Sequence, residues 1–249
     1  DRCRHGVRSA SCRTVPPPPR SVASRYQEQR KISMSYMDTI RRYLSSFFAW
    51  ISDEGYISRN PMRRLKKIKV PRMIKKPFSQ AEMEHLRCNA GCQRDIAIMA
   101  FLYSTAARIG EAVRLDRKDI DWGNKEVIIY GEKGKKERRV YLTDDCAYHL
   151  QKYLSTREDN NPALFVSNKQ PHTRLGKQAI QSMLRTLGNK TEIHAHPHKF
   201  RRTLLTDAGN RGIPLQEIQM YAGHQKPDTT MMYVTVSEEI GRASCRERV

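Results

Sequence analysis

The most regular hydrophobic pattern in the chain lies between residues 35 and 54. Ile40, Tyr43, Leu44, Phe47, Phe48 and Ile51 recur at helical spacing on one face, with polar residues on the other. Ser35 with Asp38 has the form of a capping box, and Gly55 stops the run. Asn60-Pro61 restarts the chain, and RRLKKIKVPRMIKKP follows as a basic stretch broken by Pro71 and Pro77. Ser79-x-x-Glu82 is a second capping box and opens a new domain. Residues 93–105, with Ile96, Ile98, Met99, Phe101 and Leu102, predict a buried helix, and Asp119 to Trp122 predict a turn. Two strands are expected, Val127-Ile128-Ile129-Tyr130 and Arg139-Val140-Tyr141-Leu142, around the Lys/Gly-rich loop Gly131–Glu137. Helices are expected at about 143–155, 175–187, 198–210 and 214–221, with a further short one starting at Pro227-Asp228-Thr229-Thr230. The pattern therefore predicts a mainly α fold with a small antiparallel β-sheet at one edge, and no internal repeat is visible.

The two ends do not share this periodicity. Residues 1–22, with four consecutive prolines from Pro16 to Pro19, read as disordered or non-native. Residues 239–249, EIGRASCRERV, can be written in codons that reproduce a common sequencing adapter, and are set aside as a read-through scar. Between them the expected organisation is a helical segment over 23–70, a basic linker over 71–78 and a larger domain over 79–238.

Charge changes the picture next. The chain carries 46 Lys+Arg against 26 Asp+Glu, a formal +20, which points to a polyanionic partner. No stretch approaches the ~18 apolar residues of a spanning helix, and there is no secretory or lipidation signal, so nucleic acid is favoured over a membrane surface. Within the basic stretch Arg63, Arg64, Lys66, Lys67, Lys69, Lys75 and Lys76 are the candidate phosphate contacts. The six cysteines show no framework spacing. Cys88 and Cys92 lack a second pair for a metal site, and the expectation is free thiols in a reducing cytosol. His194-Ala195-His196-Pro197-His198 also lacks a second ligand set, so no metal or other cofactor is expected.

Several polar residues have the right chemistry to act on a phosphate. Arg108 follows a buried helix and the small-residue turn Ser104-Thr105-Ala106-Ala107. His198 and Arg201 stand three apart at a helix start and share a face. Gly223-His224 ends the next helix, and Tyr233 follows nine residues later. Guanidinium groups bind non-bridging phosphate oxygens in pairs, and preorganised donors stabilise the extra charge of a pentacoordinate state. A tyrosine hydroxyl titrates near 10 and needs such donors, or a base, before it attacks.

These residues carry a family resemblance. Ala107-Arg108-Ile109-Gly110-Glu111-Ala112 resembles the first arginine motif of tyrosine recombinases, the phage-integrase type of DNA breaking and rejoining enzyme. His198-Lys199-Phe200-Arg201-Arg202-Thr203 resembles their H-x-L-R-H-T box, and Tyr221-Ala222-Gly223-His224 their L-L-G-H. Asp228-Thr229-Thr230-Met231-Met232-Tyr233 resembles the nucleophile segment S-T-T-x-x-Y. Each motif alone is weak, but four in order are strong, and the likeness spans roughly residues 23–238. Arg202 departs from the family, which often has His there.

The resemblance implies a catalytic domain preceded by a partial core-binding domain. It implies that Tyr233 attacks the scissile phosphate to form a 3′-phosphotyrosyl link, and that Arg108 and Arg201 clamp its oxygens. His198 then acts as base or donor, His224 donates to the phosphate, and Glu111 orients the site from behind. Gly131-Glu132-Lys133-Gly134-Lys135-Lys136-Glu137-Arg138 resembles the family's G-K-G-x-K-E-R hairpin, a lysine of which protonates the leaving 5′-oxygen. The role falls on Lys133, with Lys135 and Lys136 open because Glu132 blurs the register. It further implies double-stranded DNA as partner, a homotetramer on two DNA sites, no metal, and a cytoplasmic, nucleoid-associated setting in a bacterium, phage or mobile element. Two rivals stand beside it: a type IB topoisomerase with a similar residue set, and a non-catalytic basic DNA-binding protein.

Overall fold

A computed structural model of the 249-residue chain describes residues 32–70, 76–131, 137–224 and 230–231. The chain divides into two compact units, residues 1–73 and 74–249.

In the first unit, helix α1 spans Met34–Asp53. It starts earlier than the Ser35/Asp38 pattern predicts. Ser33 is the N-cap, its hydroxyl accepting the Tyr36 N–H at 3.2 Å, and Asp38 instead receives Arg41 Nε at 3.0 Å. Ser35 points its backbone carbonyl at Thr39 Oγ1, an ordinary in-helix contact. The helix ends as the sequence predicts, with Gly55 at φ +79°. Among the described residues no side chain of α1 is fully buried, and Tyr43 is 74% exposed. A short 3-10 turn, Pro61–Arg64, is capped by Asn60 and buries Met62. Beyond it Leu65 and Ile68 are half-buried, while Arg63, Arg64, Lys66, Lys67 and Lys69 are exposed.

The second unit opens with α2, Gln80–Cys88, and the Ser79/Glu82 capping box is formed in both directions. Helix α3, Gln93–Thr105, is the central element, with Ala97, Ile98, Phe101 and Leu102 almost inaccessible. The one-turn helix α4, Ile109–Ala112, follows. The sheet has three strands rather than two, in the order β1 (Ile120–Asp121), β2 (Glu126–Tyr130), β3 (Glu137–Tyr141), all antiparallel. Half of the expected 119–122 turn is thus strand: Ile120 pairs with Val127 and Asp121 with Glu126. The turn itself follows, with Asp121 Oδ1 accepting the Gly123 and Asn124 N–H groups and Lys125 at φ +53°. Val127, Ile129 and Val140 point inward and are fully buried, while Ile128, Tyr130 and Tyr141 point out.

Helix α5 (Asp144–Ser155) packs on α3. Helices α6 (Lys177–Thr191), α7 (Pro197–Asn210) and α8 (Leu215–Ala222) follow, and α7 packs against both α3 and α8. Phe78 fixes the start of the unit to α7. Its ring lies 4.8 Å from that of Phe200, its N–H donates to Thr203 Oγ1 at 2.9 Å, and Lys199 Nζ sits 4.1 Å above its ring. A small separate cluster of Ala106, Leu205, Ile218 and Ala222 joins the end of α3 to α7 and α8. That cluster is the floor on which the polar residues gather.

Candidate active site

The site is assembled from three chain turns, each with a local cause. Helix α3 stops at Ala106, a buried residue at φ +48°. A non-glycine residue in this conformation costs about 1–2 kcal/mol. Here Thr105 Oγ1 accepts the Ala107 N–H at 3.2 Å, and the Ala106 carbonyl accepts Arg201 Nη1 at 2.5 Å. The turn delivers Arg108 as the N-cap of α4, its backbone N–H donating to Glu111 Oε2 at 2.7 Å.

Helix α8 ends in a Schellman motif. Gly223 adopts φ +63°, its N–H donates to the Met220 carbonyl, and the His224 N–H reaches back to Gln219 at 3.1 Å. The reversal turns His224 over the helix end. Arg201 comes from the first turns of α7, where Pro197 occupies a position that has no use for an N–H.

These side chains meet. Arg108 Nη2 donates to the Gly223 carbonyl at 3.0 Å, and Arg108 Nη1 to Glu111 Oε1 at 3.0 Å. Arg201 is buried, with Nη2 donating to the Ala222 carbonyl at 2.5 Å and standing 2.7 Å from His224 Nε2. His224 Nδ1 lies 2.9 Å from Thr230 Oγ1. A guanidinium can only donate, so His224 Nε2 accepts and the imidazole proton resides on Nδ1, donated to Thr230. Burial together with the positive charges of Arg201, Arg108 and Arg138 pushes the imidazole down to about 4.

Glu111 is buried beneath the cluster. Burial works to raise its carboxyl, but hydrogen bonds from Arg138 and Arg108 outweigh that and hold it below the usual carboxylate range. Arg138, on β3, donates from Nη1 to Glu111 Oε1 at 3.0 Å and from Nη2 to Oε2 at 2.6 Å. Arg138 closes the segment that resembles the family's hairpin, but the resemblance gives it no role. The signal that could have found it is its parity with Val140, which puts it on the inward face of an amphipathic strand. Thr230 stands in the sequence only as part of the nucleophile motif, and its burial and its bond to His224 emerge from the structure.

The structure thus brings together Arg108, Glu111, Arg201 and His224. His198 is exposed in the first turn of α7. Arg202, the departure from the family pattern, is buried, with Nη1 3.4 Å from the Lys76 carbonyl. Tyr233 and Lys133, the alternatives Lys135 and Lys136, and Lys75 lie outside the described residues. The rings of His194 and His196 lie 5.2 Å apart and tilted, and among the described residues no group of three His, Cys, Asp or Glu is arranged to hold a metal ion. Cys88, Cys92 and Cys146 are free thiols, and burial pushes the Cys146 thiol up to about 12. Among the described residues no helix is long and apolar enough to cross a membrane.

Residues 64–239 match the model of the phage integrase family. The chain belongs to that family. Its members are tyrosine recombinases, enzymes that break and rejoin DNA, and this chain is one of them. It is 27% identical over 206 residues to the tyrosine recombinase XerA of Pyrococcus horikoshii, covering 82% of this chain and 70% of that protein. It is 31% identical over 199 residues to the tyrosine recombinase XerC of Haemophilus ducreyi, covering 76% of this chain and 64% of the relative. The fold is similar to the crystal structure of XerA recombinase, with a TM-score of 0.62 at 23% identity over 95% of this chain and 85% of that one. It is also similar to the Tn1549 transposon integrase solved with a circular intermediate DNA, with a TM-score of 0.73 at 20% identity over 91% of this chain and 83% of that one. A mainly helical fold with a small antiparallel sheet is thereby established for the family segment.

Proposed function

We propose that the protein cuts and rejoins double-stranded DNA at a defined site through a covalent 3′-phosphotyrosyl link on Tyr233. The observation that carries this reading is the convergence of Arg108, Arg201 and His224 around the Gly223 turn, although they are widely separated in sequence. The cluster holds three guanidiniums, from Arg108, Arg138 and Arg201, against the single carboxylate of Glu111. That excess of positive charge suits a phosphodiester and suits its more highly charged pentacoordinate state better.

In the proposed reaction the Tyr233 oxygen bonds to phosphorus, its proton passing to His198, and the bond from phosphorus to the 5′-oxygen breaks. The leaving oxygen takes its proton from the loop lysine, Lys133 or its neighbours Lys135 and Lys136. Arg108 and Arg201 hold the non-bridging oxygens. His224 enters neutral, with Nε2 accepting from Arg201. An arriving phosphate raises the imidazole from about 4, and the protonated ring then donates from Nε2 to the phosphate. The exposed Arg63, Arg64, Lys66, Lys67, Lys69 and Lys76, with Lys75, contact the DNA backbone. Similar proteins solved with DNA, including XerH bound to a palindromic difH substrate, support DNA as the partner. The working assembly is a homotetramer on two sites, acting in a bacterial cytoplasm on cellular or phage DNA.

The test is a selection. Nicked duplexes cut from the DNA flanking the coding sequence are incubated with the protein, and denaturant-stable protein–DNA adducts are isolated and sequenced. A recurring site at the adduct is the expected result. No adduct from any flanking fragment would overturn the reading, and adducts spread evenly over all fragments would favour a topoisomerase.

A further inference from the structure

Arg138 touches two of the motifs that build the site without belonging to either. Its guanidinium grips both oxygens of Glu111, the carboxylate that also holds the Arg108 backbone and side chain. Its stem lies against the turn that delivers His224, where a Cβ on Gly223 would come within 3.3 Å of Arg138 Cδ and Nη1. In sequence it directly follows the segment containing the candidate lysines. Its Nε is buried with no hydrogen-bond partner among the described residues, so the side chain is aimed by the Glu111 contact rather than by a full set of bonds.

We propose that Arg138 is a positioning residue for strand cleavage: it takes up the charge of Glu111, so that Arg108 is held in place without being neutralised. The proposal rests on the phosphotyrosyl reading above. Its physical basis is a count of charges. Glu111 needs a cation because it is buried, and Arg108 needs an acceptor to fix its rotamer. If those two were alone, they would form a neutral pair with little attraction for a phosphate. With Arg138 bidentate on the same carboxylate, the trio carries a net positive charge and Arg108 keeps its place. Arg108 remains 34% exposed at the side chain while Arg138 is only 11% exposed, so it is Arg108 that can meet the DNA.

The test uses the site recovered in the selection, on a suicide duplex, with single-turnover adduct formation at saturating DNA well below the melting temperature of every variant. Wild type, Arg138→Met, Arg138→Lys and the double variant Arg138→Met/Glu111→Gln are compared. Removing both positioning and charge in Arg138→Met slows cleavage about 100-fold, with DNA affinity within about threefold. Arg138→Lys, which keeps the charge, stays within about tenfold of wild type. The double variant, where a neutral Gln still accepts from Arg108, recovers about tenfold over Arg138→Met. A purely structural role would give equal losses in Met and Lys variants and no recovery in the double variant, which overturns the proposal. Arg138→Met within about threefold of wild type also overturns it while leaving the phosphotyrosyl reading intact. A wild-type protein that forms no adduct overturns that reading, and the proposal with it.

Discussion

Arg201 Nη2 stands 2.7 Å from His224 Nε2, a contact that fixes both the tautomer and the charge of the histidine. With the acceptor nitrogen facing a guanidinium, the ring is neutral and its proton points to Thr230 Oγ1. Burial and the neighbouring arginines hold it at about 4, against 6.5 for an ordinary histidine.

This gives stability a pH dependence of definite sign. Between about 4 and 6.5 the unfolded chain binds a proton at this histidine that the folded chain does not. The contribution is therefore complete above the unfolded value and is lost as pH falls toward about 4, by about 3 kcal/mol in total. Melting temperatures measured from about pH 7 to about pH 4 should fall more steeply for wild type than for His224→Gln. Parallel curves would show that folding does not lower the titration of His224 and would contradict the buried neutral ring.

Gly223→Ala should destabilise the protein by about 1–2 kcal/mol, because the φ of +63° is unfavourable for alanine. It should also slow adduct formation more than it weakens DNA binding, since the new methyl meets Arg138 at 3.3 Å. Chemical denaturation and single-turnover cleavage on the same preparation check both. A variant as stable and as fast as wild type would contradict the turn described.

Gly188→Ala supplies a comparison remote from the site. A Cβ there would lie 2.5 Å from the Ile193 carbonyl, backbone that cannot swing aside, so α6 and the chain leading to α7 must separate. A drop of roughly 1–3 kcal/mol in denaturant unfolding is expected, from overpacking.

DNA binding should be strongly salt-dependent. Replacing Arg63, Arg64, Lys66 and Lys67 by serine should reduce the slope of log affinity against log salt by about 0.9 for each phosphate that is no longer neutralised. A slope unchanged by all four substitutions would remove this stretch from the DNA interface.

Much of the fold was legible because periodicity carries it. The Ser79/Glu82 box, the helix at 93–105 and the two strands at 127–130 and 139–142 all follow from spacing. Strand β1 was not legible, since two residues are too few to show alternation, and its pairing depends on β2. The start of α1 slipped because Ser33 and Ser35 are both competent caps and only the geometry selects Ser33. In the site, Arg108, Arg201, Glu111 and His224 were marked by motif. Arg138 ended the hairpin motif without a role, because its meaning comes from a strand face and from a carboxylate 27 positions away.

The central claim is that Tyr233 becomes covalently joined to DNA. The most direct measurement is mass spectrometry of the nuclease-trimmed, proteolysed adduct formed on the selected site. A nucleotide attached through its 3′-phosphate to the peptide containing Tyr233, absent from Tyr233→Phe while that variant still binds the duplex, is the predicted result. A nucleotide on any other residue, or an adduct that survives Tyr233→Phe, would contradict it.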